Sequence, residues 1–170
     1  MRQTVQLNEI LARAGLGGCA WTHAQWQATA HVSGGSAAVF VRDGADAEAV
    51  TRAEGALRRE ARDRYTIVPR RQLDELGAMT GAAFAVEAAP GYAVGGVCGE
   101  GLETRGRAGA HGFLPSRPSM STGFIASGAG VRTGVALERI GLIDVAPTAA
   151  RLLGLAAPAM EGRVLEDIVQ

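Results

Sequence analysis

The sequence predicts an α/β protein, on three observations. Short apolar runs bounded by glycine-rich turns recur between Gln25 and Val94 and read as strands. Two helical patterns interrupt them, and the order strand, strand, helix, strand, helix, strand is that of a small α+β module. After Gly109 a further apolar run and an amphipathic helix follow. The chain then divides into residues 1–21, 22–95 and 96–170.

Thr4 to Leu7 reads as a short extended piece. Asn8 is placed to cap a helix, Glu9 to Ala14, that stops at Gly15. From Gln25 to Val32, Trp26, Ala28, Ala30 and Val32 fall on one side of a strand. Ser33-Gly34-Gly35-Ser36 is a tight turn, and Ala37 to Val41 returns as the second arm of a hairpin. Asp46 caps a long helix to about Arg62 with Ala49, Val50, Ala53, Leu57 and Ala61 as its apolar stripe. Tyr65 to Val68 is a third strand, and Arg70 to Leu76 a short helix ended by Gly77. Ala82 to Ala88 and Tyr92 to Val94 are two further strands. The glycine, glutamate and arginine of 95–109 read as a loop. Gly123 to Ala126 is apolar, so a buried strand is expected over Phe124 to Ser127, with another over Arg139 to Ile143. A helix from Val145 to Leu153 follows, with Asp144 as its cap and Gly154 closing it. Trp26, Phe84, Met120, Phe124 and Leu152 are expected in the core.

Composition excludes several classes. Hydrophobic residues make up 47% and charged residues 20%, a globular balance. The 17 basic and 17 acidic side chains cancel, which leaves no electrostatic footprint for nucleic acid or an anionic membrane. Arg58, Arg59, Arg62 and Arg64 alternate with Glu54, Glu60 and Asp63, as on a solvated helix face. No stretch approaches the ~18 apolar residues of a membrane span. Met1-Arg2-Gln3-Thr4 lacks an apolar signal core, which makes a cytoplasmic location the default expectation. Cys19 and Cys98 do not make a disulfide framework in a chain this long, and two free thiols are expected.

His111, set among glycines in Gly109-Ala110-His111-Gly112, is the candidate metal ligand, because neutral imidazole is the commonest ligand near neutral pH. His23 and His31 have no acidic or histidine partner at helical metal-pair spacing and read as strand-flanking residues. Gly128 to Gly134 is one residue too long for a dinucleotide loop, and no helix follows it at once. Arg117 reads as a solvated loop arginine. A triad of Ser116 or Ser119, His111 and Asp144 rests on residue types alone and is set aside.

The order of these pieces is more specific than any one of them. Gly109 to Gly112, Met120, Phe124 to Gly128, Asp144 to Thr148, Leu152 to Leu155 and Glu161-Gly162-Arg163 together resemble the C-terminal part of the alkaline phosphatase superfamily. The nearest branch is the type I phosphodiesterase/nucleotide pyrophosphatase family, although Ala129 stands where that family usually has a proline. The resemblance implies an incomplete C-terminal part of an α/β/α sandwich: 1–21 a remnant of the core, 22–95 an inserted α+β module, and 96–170 the C-terminal part of the core. It implies that His111 is one ligand of a two-zinc site that holds a phosphate-ester or nucleotide substrate and activates a threonine or serine nucleophile. The family's Asp-His-Gly does not occur in these residues. No catalytic residue is therefore assigned. The chain alone is expected to bind zinc weakly at most and to be inactive, as a C-terminal fragment or half of a split hydrolase. The alternative is a non-catalytic module that self-associates through exposed sheet edges.

Overall fold

A computed structural model describes residues 3–19, 26–44, 46–106, 109–156 and 158–170. Those residues form a mixed α/β structure with two sheets and four α-helices. The chain divides into two units, Met1–Ser121 and Thr122–Gln170. Among the described residues no helix is long and apolar enough to cross a membrane.

In the first unit, β1 (Gln3–Gln6) runs straight into α1 (Leu7–Arg13). Gly15, at φ 74°, lets its own N–H reach the Ala12 carbonyl and that of Leu16 reach Leu11, a Schellman ending. Asn8, expected as the cap, lies inside the helix and is buried. Its amide acts as a surrogate peptide group. Oδ1 accepts from Ala30 N at 2.7 Å, and Nδ2 donates to the Ala30 carbonyl at 3.2 Å. Asn8 therefore completes the open edge of β2 (Ala28–Val32).

The hairpin forms as expected: β2 pairs antiparallel with β3 (Ser36–Val41), although Gln25, the expected strand start, lies outside the described residues. Asp46 caps α2 (Ala47–Glu60), accepting from Ala49 N at 2.9 Å. Then come β4 (Tyr65–Pro69), α3 (Arg70–Glu75), β5 (Phe84–Ala88) and β6 (Tyr92–Gly95). The antiparallel sheet has the order β2-β3-β5-β4. Alternation along β3 sorts its two faces: Ala37, Val39 and Val41 join Ile10, Leu11, Ala53 and Leu57 of α1 and α2, while Ala38 joins Val68 and Leu73 on the α3 side. The second sheet is β6-β1-β7, with β1 parallel to β6 and antiparallel to β7 (Glu103–Arg105).

Three expectations fail here, each through a partner distant in sequence. The 95–109 stretch is not only loop, because β7 is held by polar pairs: Gln6 Nε2 donates to Thr104 Oγ1 at 2.9 Å, and Glu103 pairs with Arg64. Arg64 is not on a solvated face; it is buried and also donates to the Glu60 and Ala61 carbonyls at the end of α2. The cysteines are not free thiols: Cys19 and Cys98 form a disulfide with their Cα atoms 5.8 Å apart.

The second unit contains α4 (Val145–Leu152), which ends in another Schellman turn at Gly154, φ 64°. Neither expected strand forms. Phe124 to Ser127 makes no ladder and leaves Ile125 94% exposed. The Arg139 to Ile143 stretch is irregular until a 3-10 turn over Leu142–Asp144. Met120, in the first unit, and Phe124 are exposed rather than core. A short apolar run needs a paired neighbour to become a strand, and the described residues of the unit offer only an isolated bridge between Val131 and Val169. Its small core gathers Leu165, Ile168 and Val169 against Leu137, Ile140 and Leu152.

Polar groups do much of the tying. The Asp144 carboxylate does not cap α4; it accepts from Gly141 N at 2.9 Å and Arg163 N at 3.0 Å. The Thr148 hydroxyl donates to the Asp144 carbonyl and accepts from Leu165 N at 3.0 Å. The backbone N–H groups of Arg163 and Gly141 hold the Asp144 carboxyl below the usual carboxylate range.

Two outcomes follow. The disulfide closes a loop of 79 residues, so the Cys19→Ser/Cys98→Ser chain is expected to lose about 2–4 kcal/mol, read as a lower urea midpoint than that of the oxidised protein. For Asp144, a folded pKa below the unfolded one means stability present at neutral pH and lost as pH falls from about 4. The difference in unfolding midpoint between the unaltered chain and Asp144→Asn, followed from about pH 6 to 2, is expected to shrink with acidification.

Candidate functional site

The hairpin turn between β2 and β3 is closed by Ser33 N donating to the Ser36 carbonyl at 2.8 Å, with Gly34 at φ 84°. Its backbone is also a docking point. Val94 N donates to the Gly34 carbonyl at 2.8 Å, and Ala88 N to the Gly35 carbonyl at 2.9 Å. Gly35 N donates to the His111 carbonyl at 2.6 Å, and Ser36 Oγ to the Gly112 carbonyl at 2.5 Å. The Gly-x-His-Gly segment is therefore pinned by its main chain to this turn.

Glycine is required on both sides of that contact. Gly112 has φ 74°, and a Cβ on it would land on the Ser33 carbonyl oxygen. A Cβ on Gly35 would enter the ring of Phe113. Phe113 in turn packs against the main core of the unit.

Beyond His111 the chain is held by β5. Leu114 N donates to Glu87 Oε1 at 3.0 Å. Arg117 is not solvated: it donates to the Ala88 carbonyl at 2.6 Å, lies 3.4 Å from Glu87, and stacks 4.1 Å from the centroid of Phe113. Sequence spacing could not show this, since Glu87 and Arg117 are 30 positions apart (117 − 87).

The His111 side chain is exposed while its backbone is fixed. Among the described residues it belongs to no group of three His, Cys, Asp or Glu ligands. A catalytic zinc takes three ligands from protein, and the described residues bring His111 into no such group. His31 is exposed on β2 opposite Ala38, and His23 lies outside the described residues. The stretch from Gly128 makes a turn, Val131 N to the Gly128 carbonyl at 3.2 Å, with no helix behind it. The one cluster of three possible ligands among the described residues is Glu9, Cys19 and Cys98, which motif reasoning missed because its members meet only in three dimensions. No family model, curated protein or solved structure matches this chain.

The mount for His111 is open to a direct check. Gly112→Ala is expected to cost about 1–3 kcal/mol in chemical denaturation, read as a lower urea midpoint. Gly109→Ala, where a Cβ meets nothing within 4 Å, is expected to stay within about 0.5 kcal/mol of the unaltered chain.

Proposed function

We propose that this chain is the C-terminal part of a metal-dependent phosphodiesterase or nucleotide pyrophosphatase of the alkaline phosphatase superfamily, with His111 as one zinc ligand. The observation that carries the reading is the Gly-x-His-Gly segment, whose backbone is locked to a glycine turn while the imidazole stays exposed. A ligand needs that combination, because a fixed main chain limits the positions the ring can take. The parallel pairing of β1 with β6 supports an α/β core. The order of motifs from Gly109 to Arg163 supports the family. In such a site, zinc supplies charge that neutralises attacking and leaving oxygens of a phosphate ester. With one ligand among the described residues, the nucleophile and the other ligands have to come from outside them.

A second reading is a module for self-association. Exposed Ile125, Leu142, Ile143, Leu153 and Leu155 of the second unit favour it. Light scattering on purified chain separates the two, since a monomer at micromolar concentration argues against association.

The enzymatic reading is tested with zinc and a chromogenic phosphodiester. The chain alone is expected to show no hydrolysis above blank. A longer polypeptide that adds an Asp-His-Gly and a threonine nucleophile upstream, in the same reading frame, is expected to hydrolyse it. In that polypeptide His111→Ala is expected to lower turnover by more than about 10-fold. Turnover by the chain alone that vanishes with His111→Ala overturns the reading.

A further inference from the structure

Glu9 on α1, Cys19 beyond the turn that ends α1, and Cys98 in the loop after β6 come together in the first unit. A carboxylate oxygen and the two sulfurs all lie within 4.8 Å of one another, each residue half-buried. The sulfurs are joined as a disulfide, which carries no charge for the carboxylate to balance. The carboxylate is oriented all the same. Its Oε1 accepts from Arg13 Nε at 2.9 Å, and its Oε2 from the N–H of Gly99, next to Cys98, at 3.0 Å. Backbone packing sets the cysteines as firmly. A Cβ on Gly18 would meet the Asn8 carbonyl at 2.6 Å, so glycine there lets Cys19 lie against α1. The loop bearing Cys98 is pinned by Val97 N donating to Gln6 Oε1 at 2.9 Å, and by Asn8 Nδ2 donating to the Gly96 carbonyl at 3.3 Å.

We propose that this is a redox-gated metal site: once the disulfide is reduced, the thiolates of Cys19 and Cys98 and the carboxylate of Glu9 take up zinc. A dithiol reductant gives two electrons and two protons to the S–S bond, yielding two thiols and its own disulfide. Zinc then displaces one proton from each thiol as two S–Zn bonds form, and the protons pass to solvent. Thiolate sulfur selects a thiophilic cation over magnesium or calcium. Two sulfurs and one carboxylate oxygen make three protein ligands, which leaves a fourth position for water. Arg13 and Gly99 hold the carboxylate as outer-sphere partners. Oxidant and metal thus compete for the same two sulfurs. The site is independent of His111 and of the hydrolase reading.

Cobalt(II) is the probe. The full chain is reduced with a dithiol, freed of it by anaerobic gel filtration, and titrated with cobalt. One equivalent is expected to raise a thiolate-to-cobalt charge-transfer band that zinc abolishes and that the oxidised chain never shows. Cys19→Ser and Cys98→Ser are each expected to lose the band at one equivalent, and Glu9→Gln to weaken cobalt binding at least about tenfold. No band in the reduced chain overturns the proposal, as does a band that survives either serine variant. So does cobalt binding indifferent to Glu9→Gln, the behaviour of two cysteines in an unfolded chain.

Discussion

Three stretches of backbone meet at Gly34 and Gly35 without a side chain between them. The carbonyls of these residues accept from Val94 at the end of the three-stranded sheet and from Ala88 at the end of the four-stranded one, and Gly35 donates to His111. A peptide group buried in such a contact has to be paired, because an unpaired one costs about 1–3 kcal/mol. Each of the three chains therefore depends on the other two. Any Cβ at Gly35 or Gly112 would separate them, so the turn chemistry of a hairpin also sets the place of the candidate ligand.

Local rules gave most of the first unit. The Asp46 cap, the hairpin through Ser33 to Ser36 and the glycine that ends α1 are all written within a few residues of where they act. Asn8, Arg64 and β7 were misread for a shared reason. Each depends on a polar group held by a partner far along the chain: Ala30 and Gly96 for Asn8, Glu103 for Arg64, Gln6 for Thr104. Pattern methods assign polar residues to caps, solvent and loops, because those are their commonest places. The Cys19–Cys98 pair escapes for the same reason, since a separation of 79 residues leaves no spacing signal. At the candidate site, the flanking glycines are what single out His111 in the sequence. What those glycines are for is not legible there, because the Ser33 carbonyl that Gly112 must approach belongs to another element.

The second unit failed in a different way. Gly123 to Ala126 has the composition of a strand but no neighbour to pair with, and a strand is a property of two segments rather than one. What orders this unit is a short polar chain instead. Asp144 gathers the N–H groups of Gly141 and Arg163, and Thr148 carries the linkage on to Leu165. Gly162 lies so near the Ile143 carbonyl that no side chain fits. Asp144, Thr148 and the Glu161-Gly162-Arg163 run thus belong to one structural device, which accounts for their joint presence without any part in chemistry.

The same reasoning narrows what the His111 segment can do. Arg117 lies six positions beyond His111 (117 − 111), yet its guanidinium is committed to Ala88, Glu87 and the face of Phe113. Turning it toward a phosphate would orphan the Ala88 carbonyl and leave Glu87 without its counter-charge, a cost that a single exposed anion contact does not offset. Arg117 is therefore not free to supply positive charge beside His111. A lone exposed imidazole holds a metal only when other ligands share it. The segment fixes the main chain at His111 and leaves the imidazole exposed, so any part in metal binding depends on groups that His111 does not itself bring.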